Sequence, residues 1–201
     1  MSRATLTATG HEVDLAYPRA EQMVIADIAH HLAQINRFCG ATFRPYSVAE
    51  HSLLVEEIFC REFAADVQGR FAALMHDAHE AYVGDLITPA KAMAGPAWAH
   101  LEGRLQSTVR SAWALHTAAT TWSAFIRQAD LIALATERAQ LLPPGGSLWE
   151  RLQHVQPVTW VDLMSPERCR QTWADWRNAW QDTADALDYA RNGKQFAVAQ
   201  P

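Results

Sequence analysis

His51, His76, Asp77 and Asp130 are the residues of this 201-residue chain whose types and positions could do chemistry together. The first two are 25 positions apart and the last two 53, so the set comes from separate elements and not from one local run. Two imidazoles and two carboxylates make a mixed nitrogen and oxygen donor set. Such a set suits Mn, Fe, Co, Ni or Zn better than Ca, and it leaves octahedral positions open for water and for a phosphate oxygen. The corresponding chemistry is Lewis-acid polarisation of a bound oxygen and activation of a bound water. Taken alone, a histidine on an apolar stripe is most often a hydrogen-bonded core residue. An aspartate beside a histidine in an apolar helix is harder to accommodate. A buried carboxylate is costly unless neutralised, and one cation neutralises several donors at once.

The elements that must position these groups follow from periodicity. Ile25, Ile28, Leu32 and Ile35 recur at three- and four-residue steps and predict an amphipathic helix from about Met23 to Asn36, followed by a loop from Cys39 to Tyr46. Ser47-Val48-Ala49-Glu50 reads as a capping box that starts a helix at Val48, the Ser47 hydroxyl taking the Glu50 amide and the Glu50 carboxylate reaching back to the Ser47 amide. The stripe Val48, Val55, Ile58 and Phe59 of that helix includes His51. The next helix runs from Gly69 or Arg70 to Val83, buries Phe71, Leu74, Met75, Ala78 and Tyr82, and ends at Gly84. It carries His76, Asp77, His79 and Glu80 in its middle. There His76 and Asp77 stand about 100° apart, and Glu80 lies one turn beyond His76.

Thr88-Pro89 and Gly95-Pro96 begin new helices, the second extending through Trp98, Leu101, Leu105, Val109 and Ala112 toward His116. Thr120 or Thr121 caps a helix through Phe125, Ala129, Ile132 and Thr136 that carries Asp130 and stops before Pro143-Pro144-Gly145-Gly146. Ser165-Pro166 opens the last long helix. Its Trp173, Trp176 and Trp180 recur at helical spacing, as a core stripe first and a subunit interface second. Near the other end, Thr9-Gly10 marks a turn between two short strands.

Composition bounds the class. Apolar residues make up 49% and charged residues 19%, with nine Gly and nine Pro, which excludes disordered, collagenous and rod-like chains. The expectation is one all-α domain over residues 1–201, with a motif-bearing core at about 25–140, a C-terminal helical extension at 147–192, and a short irregular or hairpin N-terminal segment. Lys and Arg number 17 against 22 Asp and Glu, a net charge of −5 that disfavours a general binder of long nucleic acid. Cys39, Cys60 and Cys169 are odd in number and lack C-x-x-C spacing, so no disulfide framework or thiolate zinc site is expected and a reducing cytoplasm fits. Met1 to Gly10 has no apolar run of the signal-peptide kind. Ser111 to Ile126, the longest uncharged stretch, is too short and too polar to span a membrane.

Five segments, Ile35-Asn36-Arg37-Phe38, Ser47 to Leu53, His76-Asp77-Ala78-His79-Glu80, Gly84 to Lys91 and Gln128-Ala129-Asp130, carry a resemblance. In order and spacing the set resembles the HD-domain phosphohydrolase superfamily, and within it the bacterial 5′-deoxynucleotidase type. The resemblance implies an all-helical fold and one divalent metal ion held by His51, His76, Asp77 and Asp130. It gives Asp77 and Glu80 catalytic roles, Glu80 orienting the attacking water or moving its proton. It also implies that Arg37 grips substrate phosphate with its planar fork, that Phe38 stacks on the base where relatives carry Trp, that Asp85 and Thr88 lie near the sugar hydroxyl and the phosphate, and that Lys91 adds positive charge. The plain alternatives are a surface arginine, a turn aspartate and a solvated helix lysine. His79 is expected to neighbour the ligands or face solvent, ahead of serving a second metal, and Arg44 has no assignment.

The function implied is hydrolysis of a 5′-deoxynucleoside monophosphate to nucleoside and phosphate. The same ligands would serve a deoxynucleoside triphosphate hydrolase releasing tri- or diphosphate, and a non-catalytic nucleotide-binding sensor is the reading from another class. The expected partner is a small-molecule nucleotide, with no membrane. A homodimer or higher homo-oligomer is compatible with the resemblance and with the tryptophan stripe.

Overall fold

Gly10, at φ +86°, turns the chain between β1 (Ala4–Leu6) and β2 (Glu12–Asp14), which pair antiparallel with Thr5 opposite Val13. The computed structural model describes residues 3–63, 66–146 and 149–193. Asp27 pins this hairpin to the body: its carboxylate, fully buried, accepts from the Thr9 amide and the Thr9 hydroxyl, each at 2.7 Å.

Beyond the hairpin, the long regular elements described are α-helices, so the fold is all-α. They are α1 (Ile25–Gln34), α2 (Val48–Phe63), α3 (Val67–Leu74), α4 (Glu80–Val83), α5 (Thr88–Ala94), α6 (Pro96–Ala112), α7 (His116–Thr121), α8 (Ser123–Leu141), α9 (Pro166–Arg170) and α10 (Trp173–Asn192). The periodic residues face one core. Ile28 and Leu32 of α1, Val55, Ile58 and Phe59 of α2, Phe71 and Leu74 of α3, Leu105 of α6, Leu141 of α8 and Trp180 of α10 are all fully buried. Each contributes about 1.5–3 kcal/mol by leaving water. Helix α2 packs against α1, α3, α8 and α10 and so occupies the middle of the molecule. No helix among the described residues is long and apolar enough to cross a membrane.

Five expectations change. The predicted helix over 69–83 is broken: α3 stops at Leu74, residues 75–79 form turns, and α4 starts at Glu80. The Ala73 carbonyl, which a continuous helix would offer to Asp77, is taken by the His76 amide (3.3 Å) and by the His76 ring (2.8 Å). The following bonds run from i to i−3, from Ala78 to Met75 and from Glu80 to Asp77, which is 3₁₀ geometry. Helix α6 ends at Ala112 and does not run on to His116. Neither Thr120 nor Thr121 caps the helix that carries Asp130: both lie inside α7, and α8 starts at Ser123 after Trp122. The last long helix does not begin at Ser165-Pro166: these open the short α9, and α10 restarts at Trp173 under a capping box made by Thr172 and Asp175.

The Ser47 cap is half as predicted. Ser47 Oγ accepts the Glu50 amide at 3.2 Å. The Glu50 carboxylate is engaged by Arg44 (2.6 and 2.8 Å) and by Arg168 of α9 (2.8 Å). Arg44 also donates to the Leu163 carbonyl, so this buried carboxylate ties the loop before α2 to the C-terminal third of the chain. In the tryptophan stripe, burial is complete at Trp180. Trp173 is 43% exposed and meets His30 edge-on at 5.2 Å.

Candidate metal centre

His51 sits one turn into α2, on the face turned to the core, and its side chain is fully buried. Its Nδ1 lies 2.5 Å from Oε1 of Glu137, an acceptor, so Nδ1 carries a proton and donates it. Nε2 then points the other way, 3.3 Å from Asp130 Oδ1 and 3.6 Å from Asp77 Oδ2, and forms no hydrogen bond. His76 is arranged alike. Its Nδ1 donates to the Ala73 carbonyl, and its buried Nε2, 3.1 Å from Asp77 Oδ2, is without a hydrogen-bond partner. The donor atoms of His51, His76 and Asp77 all lie within 4.8 Å of one another. Asp130 of α8 joins them through His51, and its side chain is 35% exposed, so the cluster opens to solvent on that side.

This donor set fits a divalent cation. Two buried imidazole nitrogens whose opposite ring atoms are held by acceptors present their remaining nitrogen to two carboxylates, the arrangement by which ligating histidines are oriented. Burial and the nearby Arg37 press His51 toward its neutral form. Glu137, Asp130 and Asp77 more than reverse this and raise its pKa well above the ordinary value. Burial likewise pushes Asp77 up, and His76 and His51 bring it well below the carboxylate range. The acid groups that hold a proton on His51 also favour a metal cation in its place, with release of that proton.

Glu137 was missed by sequence reasoning. It is completely buried in α8 and accepts from His51, from the Tyr46 hydroxyl (3.0 Å) and from Arg37 Nη2 (3.1 Å). Burial raises its pKa, but Arg37 and His51 bring it below the ordinary range. A signal existed: Glu137 follows Asp130 by seven residues, two helical turns, within an apolar stretch.

Arg37 is buried. Its other terminal nitrogen lies 3.9 Å from Asp85 and 4.0 Å from Asp77, so one guanidinium serves three carboxylates. Phe38 stacks on Trp149 at 6.2 Å, and it and Cys39 hold positive φ, a strained backbone beside the site. Asp85 sits by Arg37, raised by burial against that cation. Thr88 accepts from Arg151 at 2.5 Å. Arg37, Phe38, Asp85 and Thr88 thus each already have a protein neighbour.

Glu80 is 2% exposed, with Oε2 unpartnered. Burial, together with the charges of Asp77 and Asp85, pushes its carboxyl up to about 9. His79 is buried and does not face solvent; with Glu80 and Glu102 it forms a second group that could hold a metal ion. Lys91 is no solvated lysine. Its Nζ lies 2.7 Å from Glu102 and 3.5 Å from Glu80, so a fixed cation already neutralises that group.

No family model matches the chain. It is similar to the uncharacterized protein YfdR of Escherichia coli (strain K12), 38% identical over 139 residues that span 69% of this chain and 72% of that protein. It is also similar to an uncharacterized protein of Rhodobacter capsulatus, 46% identical over 104 residues, which are 50% of this chain and about half, 53%, of that relative.

Proposed function

The chain belongs to the family of Escherichia coli YfdR, and from the cluster described above we propose that it is a metal-dependent phosphohydrolase acting on nucleotides. The first substrate proposed is a 5′-deoxynucleoside monophosphate, split into nucleoside and phosphate. One observation carries the reading: two histidines, His51 buried and His76 half-buried, each with Nδ1 committed to an acceptor, aim orphaned Nε2 atoms at Asp77 and Asp130. The similarity of the five segments to HD-domain phosphohydrolases supports it further.

His51, His76, Asp77 and Asp130 would hold one divalent ion, of Mn, Co, Fe, Ni or Zn. When bound, such an ion supplies Lewis acidity toward a phosphoryl oxygen and a lowered pKa for water. The chain's own groups do the rest. Glu137 keeps the proton of His51 on Nδ1, and the Ala73 carbonyl keeps that of His76. Arg37 neutralises Glu137 and faces Asp77 and Asp85, limiting the negative charge that an anionic substrate meets. Glu80 holds or moves a proton at Oε2 while Lys91 stays beside Oε1. Hydrolysis consumes one water, and the proton it yields passes to the leaving oxygen.

The test is a panel of mono-, di- and triphosphates of ribo- and deoxynucleosides, incubated with the protein and each of the five metals, with products identified. Free phosphate and deoxynucleoside from monophosphates is the expected result. Release of tri- or diphosphate confined to triphosphates would move the scissile bond. Tight nucleotide binding without turnover under any metal would replace the enzyme with a sensor module.

A further inference from the structure

None of the substrate contacts expected from the sequence lines the cavity of about 310 Å³ that opens at the cluster. Its lining includes the ligands His76, Asp77 and Asp130, and also Gln106, Arg110 and Arg127. Helix periodicity explains the grouping. Gln106 and Arg110 are one turn apart on α6, while Arg127 stands just under a turn before Asp130 on α8. The volume is at the lower end of small-molecule sites.

Both arginines, Arg110 half-buried and Arg127 exposed, line this cavity without a protein partner. Arg37, Arg44, Arg70 and Arg191 each meet a carboxylate. Among the described residues, the side chains of Arg110 and Arg127 have no hydrogen bond or ion pair. Arg110 is half-buried, and burial with nothing to oppose it lowers its pKa. Arginine forks match phosphate oxygens in two-point contact, and a cavity with apolar walls such as Met75 and Ile126 strengthens such a contact. Arg37, already shared among three carboxylates, has less charge to offer.

We propose that Arg110 and Arg127 form the phosphate-binding subsite of this protein, with the substrate entering through the cleft between α6 and α8. The inference rests on the phosphohydrolase reading for the identity of the anion. Its source is the scissile phosphate or a neighbouring phosphate of the same nucleotide, and both share this chemistry.

The probe is inorganic phosphate, titrated calorimetrically into the 201-residue chain in the presence of manganese. Arg110→Gln and Arg127→Gln should each weaken binding about tenfold, the loss expected for one charge-assisted contact. Arg110→Lys and Arg127→Lys, which keep the charge, should retain most of it, and they serve as controls for folding. Unchanged affinity in the double glutamine variant with an intact far-ultraviolet spectrum, or no phosphate binding by the wild type, overturns the proposal. Kinetics separate the two sources. A higher KM of the double variant for monophosphates assigns the arginines to the scissile group, and a higher KM for triphosphates alone assigns them to its neighbour. A KM unchanged for every nucleotide sinks this inference and leaves the hydrolase reading standing. Arginine-dependent phosphate binding without turnover of any nucleotide does the reverse.

Discussion

Replacing Glu137 tests how the centre is built. Glu137→Gln preserves volume but removes the charge that His51 Nδ1, Tyr46 and Arg37 all address. A carboxylate accepts only, which forces the His51 proton onto Nδ1. An amide can instead donate to Nδ1, moving that proton to Nε2 and blocking the nitrogen that faces Asp77 and Asp130. Loss of a group that orients a ligating histidine typically costs about 10–100-fold in metal affinity. Glu137→Ala does more. It leaves the Arg37 guanidinium buried with Asp77 and Asp85 at 3.9 Å or beyond, and strands the Tyr46 hydroxyl. Breaking a buried pair from one side costs about 3–5 kcal/mol, or roughly 6–20 °C in Tm for a chain of this size. Affinity is read by competition with a chelator using Zn or Mn, and stability by thermal unfolding of metal-free protein. A Glu137→Gln protein that holds metal as tightly as the wild type would refute the tautomer argument, and with it the claim that α8 sets the chemistry of a histidine on α2.

Glu80→Gln should retain the metal but lower turnover about 10²–10⁴-fold, the range for loss of a general acid or base; equal turnover on the best nucleotide of the panel counts against its role. Asp27 adds a pH dependence remote from the centre. Burial raises its pKa, but hydrogen bonds from Thr9, Thr7 and His11 hold it below the ordinary value. Its stabilisation is therefore present above the unfolded value of about 3.9 and is lost as pH falls through the lower folded value. Urea unfolding from pH 6 downward should show the wild type losing stability more steeply below about pH 4 than Asp27→Asn, and parallel curves would contradict this. Trp180→Ala should cost about 3–5 kcal/mol, because a fully buried indole of α10 leaves a cavity against α1, α2 and α3; a loss under 1 kcal/mol would mean that α10 is an appendage.

Much of the architecture was legible because burial leaves a period in the residue types. The stripes of α1 and α2 and the turn at Gly10 stand where the pattern puts them, since each depends on a local repeat or a local φ, whereas on α8 Phe125 of the expected stripe is 45% exposed and its neighbour Ile126 is buried. His51 was conspicuous for the same reason, as an imidazole in an apolar row. The break at residues 75–79 was not legible. Phe71 to Tyr82 has a good helical pattern, and where it breaks, the His76 side chain bonds the Ala73 carbonyl. The pairing of Lys91 and His79 with Glu102 was not legible either, because Glu102 is a residue of another helix.

The residue sequence by itself determined an all-helical chain with four donors of suitable type on separate segments, because amphipathic periodicity and residue chemistry are local properties. Tertiary structure alone decided which nitrogen of each histidine is available, that Glu137 backs His51, and that Arg37 is occupied while Arg110 and Arg127 are not. These depend on contacts such as the one between His51 and Glu137, 86 positions apart. No pattern of nearby residues encodes such a pairing; it exists only once α2 and α8 are packed together.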